Sequence, residues 1–353
     1  MVEEARRKVA ALVGAAPEEI YFTSGATEAN NIVVKGALAD LGPADGHLVI
    51  SAVEHASVAQ AARDCLRGGW RVSRVGVDAR GVVDPIEAAR AVCGDTVLVS
   101  VMLVNNEVGA IEPVKDICRA VKEKGAAVHS DATQAAGKIE ISVGDLGVDC
   151  LTFSAHKFHG PKGVGALYVK RGSRIASLFG GGGQEDGVRP GTPNVPGIVG
   201  MGVAAEIAVR EMAASERLVG ACRDRFESAL SSGVDGCRVN AGGGPRLHTF
   251  SNVSFDRVDG GELLCALDAA GVACSTGPAC SPRDGGGSTA LQAMGLPPER
   301  IRSAVRFSFG AFNTMDEALE AARIVIEQVT RLKRGKTRAV AGRRVLREGR
   351  GAA

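Results

Sequence analysis

Ile20-Tyr21-Phe22-Thr23-Ser24-Gly25-Ala26-Thr27-Glu28-Ala29-Asn30-Asn31 packs a strand, a small-residue turn and a helix start into one short stretch. The strand signal is the apolar run ending at Thr23, and the helical pattern starts at about Thr27. The same grammar recurs along the chain. Residues 47–50, 71–77, 97–104, 127–129, 150–153 and 165–169 read as strands. Helical patterns at 3–14, 27–39, 57–67, 85–92 and 114–124 alternate with them. This alternation predicts an α/β domain with a mostly parallel sheet, whose ligand sits in the loops after the strands.

Beyond that region the texture changes. Residues 198–230 form a long Ala-rich helical pattern, followed by strands at 249–255 and 304–309 and helices at 261–270 and 315–332. The expected division is a large domain over 1–212, a smaller α+β C-terminal domain over 213–334 and a basic tail over 335–353. From Arg331 onward nine basic residues face one acid. That tail reads as a solvated, partly disordered segment, or as an electrostatic contact with nucleic acid or an acidic partner. No aromatics interleave with the basic residues, so base stacking is not signalled and nucleic acid is not the expected partner.

Composition narrows the class. The chain has 353 residues, a formal charge of +2 and 45% hydrophobic residues, close to soluble globular averages. Its longest apolar run, Val97 to Val104, is interrupted by Ser100 and falls far short of a membrane span. The start, Met1-Val2-Glu3-Glu4, lacks the apolar stretch of a signal peptide. Nine scattered cysteines without CxxC pairs point to free thiols in a reducing, cytoplasmic setting and to no metal site.

Five stretches carry candidate chemistry. In the opening stretch, N–H groups at a helix start point at whatever occupies the turn and favour an anion, with the Thr27 hydroxyl beside them. The same residues also read as an ordinary Ser/Thr helix cap. His129-Ser130-Asp131-Ala132-Thr133-Gln134 puts a carboxylate and an amide at a strand end. They suit a protonated ring nitrogen, or simply cap the strand. Phe153-Ser154-Ala155-His156-Lys157-Phe158-His159-Gly160-Pro161-Lys162 sets Lys157 just after a strand, where partial burial favours Schiff-base chemistry. Lys162 is the better candidate for a plain solvated lysine. Glu54-His55-Ala56-Ser57 offers an imidazole that stacks on a ring or remains a surface residue. Gly277-Pro278-Ala279-Cys280-Ser281-Pro282 offers a thiol in a small-residue loop, the setting of reactive rather than inert cysteines.

The order of these signals resembles the NifS/IscS-type cysteine desulfurases of the class V aminotransferase family. The matching stretches are FTSGATEANN, EHASV, VNNEVGAI, DATQAAGK, FSAHKFHGPKGVGALYV, RPGTPN, GPACS and VRFSFG, from about Val2 to Leu332. The resemblance implies the pyridoxal-phosphate-dependent transferase fold of type I and pyridoxal 5'-phosphate as cofactor. It implies Lys157 as the Schiff-base lysine, Asp131 against the pyridine nitrogen and His55 stacked on the ring. Gln134 and Asn106 would contact the ring hydroxyl or the substrate. Ala26, Thr27, Ser154 and His156 would hold the phosphate, with Thr192 reaching the phosphate of a second subunit in a homodimer. Arg306 would clamp the substrate carboxylate, and Cys280 would be the nucleophile.

The implied reaction turns L-cysteine into L-alanine. It leaves a persulfide on Cys280 for an acceptor protein, such as an iron–sulfur scaffold or a tRNA-thiolation enzyme. The same scaffold also serves selenocysteine lyases and other aminotransferases, and a chain without turnover would act as a binding protein. Two departures stand out. Family members carry a further N-terminal segment ahead of the position of Val2, and Pro278 and Pro282 flank Cys280, which stiffens its loop.

Overall fold

The computed structural model describes all residues except 40, 43–44, 174, 278–287 and 349–353, with the backbone alone over 336–348. Seven strands form the main sheet: β1 (Ile20–Thr23), β2 (His47–Ser51), β3 (Arg71–Val75), β4 (Thr96–Ser100), β5 (Ala127–Asp131), β6 (Cys150–Ser154) and β7 (Gly165–Val169). Their order is β1-β7-β6-β5-β4-β2-β3. Pairs β6–β5, β5–β4, β4–β2 and β2–β3 are parallel, while β7 runs antiparallel to both β6 and β1. All main-sheet strands but β7 therefore point the same way, and their C-terminal ends share one edge.

The helices α1 (Val2–Val13), α2 (Ala26–Gly36), α3 (Ala56–Arg67), α4 (Pro85–Arg90), α5 (Val114–Lys122), α6 (Val143–Leu146) and α7 (Val195–Gly233) cover the sheet. Burial on both faces explains why its strands read as apolar runs. Pleating splits each strand between two cores. Leu48 and Ile50 face α2 and α3 with Ile32, Val33 and Val58, whereas Val49 joins Val9, Ile117 and Met201 on the opposite face.

A second sheet, β10-β9-β8, is built from β8 (Cys237–Val239), β9 (Phe250–Phe255) and β10 (Ala304–Ser308), all antiparallel. It packs with α8 (Gly260–Ala269) and α11 (Met315–Glu348), and the short helices α9 (Thr289–Ala293) and α10 (Pro298–Arg302) lie between them in sequence. Helix α7 runs unbroken through residue 212. It seats Ile198, Met201 and Ala205 in the main core, and Phe226 and Leu230 in the second core with Phe255, Phe307 and Val325.

Three differences from the sequence reading have physical causes. The strand expected over 97–104 ends at Ser100, although Val101 and Leu103 N–H groups still donate to His129 and Asp131 carbonyls. Elements β8, α6, α9 and α10 are too short to show a period. The tail, expected to be partly disordered, continues α11 to Glu348, since Ala, Arg and Lys favour helix and only Gly335 and Gly342 oppose it. Among the described residues no helix is long and apolar enough to cross a membrane.

Backbone crowding fixes the site end of the sheet. A Cβ on Gly165 would lie 2.6 Å from Gly25 Cα and 2.7 Å from the Phe153 carbonyl oxygen, so the turn after β1 sits directly on β7. Gly165→Ala is expected to lower unfolding free energy by about 2 kcal/mol or more in a urea melt. An unchanged midpoint would contradict this close approach.

Two buried carboxyls also shape stability. Burial pushes Glu54 and Glu112 up to about 8. Each has one oxygen without a hydrogen-bond partner, while the other accepts a backbone N–H, from Met102 and Val83 respectively. A folded carboxyl with a raised pKa keeps its proton. Its contribution is full below the ordinary value of 4.5 and is lost as pH rises toward about 8. Between about pH 5 and about pH 8, Glu112→Gln should therefore lose less melting temperature than the parent, by roughly 2 °C or more. Equal slopes in calorimetry would contradict it.

Candidate active site

The site collects where the parallel strands end. Strand β5 ends in Asp131, which is 3% exposed. Its Oδ1 accepts the Thr133 N–H at 2.9 Å and its Oδ2 accepts Asn30 Nδ2 at 2.8 Å. Strand β2 leads through buried Glu54 to His55, which caps α3 by accepting the Ser57 N–H on Nδ1. Ser57 Oγ also lies 2.8 Å from that nitrogen. Strand β6 runs into a single 3-10 turn, Ala155–Phe158, that displays His156 and Lys157, with His156 exposed and Lys157 half-buried. Lys162 is exposed, as its sequence setting suggests.

The start of α2 meets this turn directly. Ala26 N–H donates to Ser154 Oγ at 2.7 Å. Exposed Thr27 follows in the same first turn. Glu28 accepts the Ser24 N–H and pairs with Arg189 at 2.7 Å, which ties the loop carrying Thr192 to this helix start. Thr192 itself is exposed and lines a cleft of about 100 Å³ with Ser24 and Arg189.

Lys157, Gln134 and Arg306 line one cavity of about 370 Å³ together with Lys138, His248 and Phe250. Arg306 comes from β10 of the second sheet. Its Nη1 donates to the Asn106 carbonyl at 2.7 Å, and its guanidinium lies 5.6 Å from the Phe250 ring centre. Residues from the two sheets thus meet at Asn106. Lys138 Nζ donates to Gln134 Oε1 at 3.2 Å, and burial followed by neighbouring Lys157 pushes its amine down to about 7. Desolvation, then Lys157, Lys162 and Lys138, lowers His156 below the ordinary imidazole value.

Cys280 lies outside the described residues, and its loop is anchored on both sides. Ser275 exchanges two backbone hydrogen bonds with Arg306, at 2.7 and 3.0 Å. Beyond the loop, buried Ser288 caps α9 by accepting the Leu291 N–H at 3.0 Å. Among the other cysteines, Cys93 and Cys265 are exposed, and Cys274 is partly buried against the second core.

These residues fit pyridoxal phosphate. A buried carboxylate whose partners are neutral N–H groups, with no cationic side chain within 4 Å among the described residues, suits a protonated ring nitrogen. The first turn of α2, with exposed Thr27 and with Ala26 N–H meeting Ser154 Oγ, suits a phosphate. Sequence reasoning did not single out Asn30, Thr152, His129 or Lys138. The available signal for Asn30 was its place on the inner face of α2 beside Ala26, Ala29 and Val33.

Comparison with known proteins agrees with this geometry. The profile of the family described as aminotransferase class-V matches residues 1–320. The chain is 40% identical over 331 residues to cysteine desulfurase IscS of Dictyoglomus turgidum, covering 93% of this chain and 84% of the relative. A solved NifS-like protein superposes with a TM-score of 0.86 at 38% identity, covering 93% of this chain and 87% of that one. The structure described as SspA in complex with cysteine superposes at 0.77 with 33% identity, covering 89% of this chain and 87% of that one. The chain therefore belongs to the aminotransferase class-V family, as a pyridoxal-phosphate-dependent cysteine desulfurase of the IscS/NifS type.

Proposed function

We propose that the chain converts L-cysteine to L-alanine and takes the sulfur onto Cys280 as a persulfide. The observation that carries this reading is the single cavity lined by Lys157, Gln134 and Arg306, which offers an amine, an amide and a guanidinium to an amino acid. Bound pyridoxal phosphate supplies an electron sink for the substrate α-carbon. Lys157 Nζ would hold the cofactor and would accept the proton from the substrate α-carbon. Asp131 holds the proton on the ring nitrogen. His55 would lie against the cofactor and move protons at the substrate. Ala26, Thr27, Ser154 and His156 hold the phosphate, and Gln134 and Asn106 orient the ring hydroxyl and substrate.

Arg306 binds the substrate carboxylate, where a planar guanidinium matches two oxygens. Cys280 Sγ then attacks the substrate sulfur. The carbon–sulfur bond breaks, alanine leaves with the sulfur replaced by hydrogen, and Cys280 keeps the sulfur. The backbone pair between Ser275, just ahead of this segment, and Arg306, which lines the cavity, supports delivery to it. The working unit in this proposal is a homodimer in which Thr192 serves the phosphate of the second copy. The persulfide passes to an acceptor protein for iron–sulfur or thio-cofactor assembly in a reducing, cytoplasmic setting. Such a setting suits the free thiols.

Lys157→Ala is expected to abolish the visible absorption of the loaded protein. Cys280→Ser should keep that absorption while alanine formation from cysteine falls by roughly 100-fold or more. Peptide mass spectrometry should place the extra sulfur on Cys280 and not on exposed Cys93 or Cys265. Full activity of Cys280→Ser would overturn the nucleophile assignment.

A further inference from the structure

Asn30 sits at the junction between the two ring-contacting groups. It is fully buried on α2. Its two amide hydrogens go to Asp131 Oδ2 and to Ser57 Oγ, each at 2.8 Å. Its Oδ1 accepts the Thr152 hydroxyl. The directions of the remaining bonds follow from these. Because Ser57 Oγ accepts from Asn30, its own hydrogen is available to His55 Nδ1, which also accepts the Ser57 N–H at 3.2 Å. Two donors on Nδ1 leave the neutral His55 ring with its proton on Nε2.

The other arm is equally determined. Thr152 spends its hydrogen on Asn30, so it accepts from His129 Nε2 at 3.2 Å, and His129 Nδ1 accepts the Ser100 hydroxyl at 2.9 Å. Burial holds His129 down to about 4, in keeping with one ring hydrogen. A flipped Asn30 amide would aim an oxygen at Asp131 and a donor at the Thr152 hydroxyl, so only one orientation satisfies every member.

We propose that Asn30 is a positioning residue that fixes the Asp131 carboxylate and, through Ser57, the Nε2-protonated tautomer of His55. One side chain thereby orients two groups proposed for the cofactor site, the Asp131 carboxylate and the His55 imidazole. The inference rests on the roles proposed above for Asp131 and His55. It explains why a polar residue occupies the apolar face of α2. An alanine there would leave Ser57, Thr152 and one Asp131 oxygen short of a partner in a buried setting.

The test loads the full chain and its variants with pyridoxal phosphate. It compares melting temperature, cofactor dissociation constant, visible absorption maximum, and kcat and KM for cysteine. Asn30→Ala is expected to weaken cofactor binding by roughly 10-fold or more, as loss of a charge-assisted hydrogen bond implies, and to shift the absorption maximum. Its kcat should fall more than its KM changes. Ser57→Ala removes only the arm to His55 and should lower kcat while leaving cofactor affinity within about 3-fold. The neighbour Asn31→Ala, half-buried and bonded to the Thr27 carbonyl, should match the parent. A folded Asn30→Ala that loses only melting temperature, with parental spectrum, affinity and kcat, overturns the inference. If Asn30→Ala does not fold, an unchanged kcat in both Ser57→Ala and Thr152→Val overturns it. If the parent shows no visible band that Lys157→Ala removes, the site reading itself fails, and this inference with it.

Discussion

A carboxylate at the end of a central strand is the constraint on which the site depends. Asp131 is buried, and its oxygens meet only neutral donors among the groups seen around it. Such a charge is costly unless a cation completes the arrangement. In the proposed function a protonated pyridine ring would offset that cost and gain electron-withdrawing power from the same contact. On that proposal, cofactor retention and chemistry share one interaction, and the polar network behind Asp131 keeps the carboxylate aimed.

The sheet makes that arrangement possible. Because every main-sheet strand except β7 runs in the same direction, the chain after β1, β2, β4, β5 and β6 emerges on one edge. Each loop needs to deliver only one or two groups. Close contact of Gly25 with Gly165 brings the start of α2 onto the turn that carries Lys157. The second sheet adds Arg306 through its contact with Asn106, and the same strand anchors the loop of Cys280. In the proposed function, substrate recognition by Arg306 and the segment leading to Cys280 therefore share one strand, β10.

Much of this was legible in the sequence because strand ends and small-residue turns are local signals. The runs ending at Thr23, His129 and Phe153 announced the parallel sheet and put Ala26, Asp131 and Lys157 just beyond them, where the structure has them at or after the ends of β1, β5 and β6. Asn30 and Thr152 were not legible because their importance arises from contacts between α2 and β6, far apart along the chain. Lys138 was overlooked because a lysine following a Gly reads as solvated until the fold buries it. The helical continuation of α11 escaped notice because charge density suggests a solvated tail, although Ala, Arg and Lys all favour helix.

Lys138 and Lys157 line the same cavity, so the identity of the cofactor-bearing amine is the most direct question to ask of this account. Borohydride reduction of the loaded protein, followed by peptide mapping, answers it. The expected result is a stable pyridoxyl phosphate adduct on the peptide containing Lys157. An adduct on Lys138, or on no lysine at all, would contradict the account.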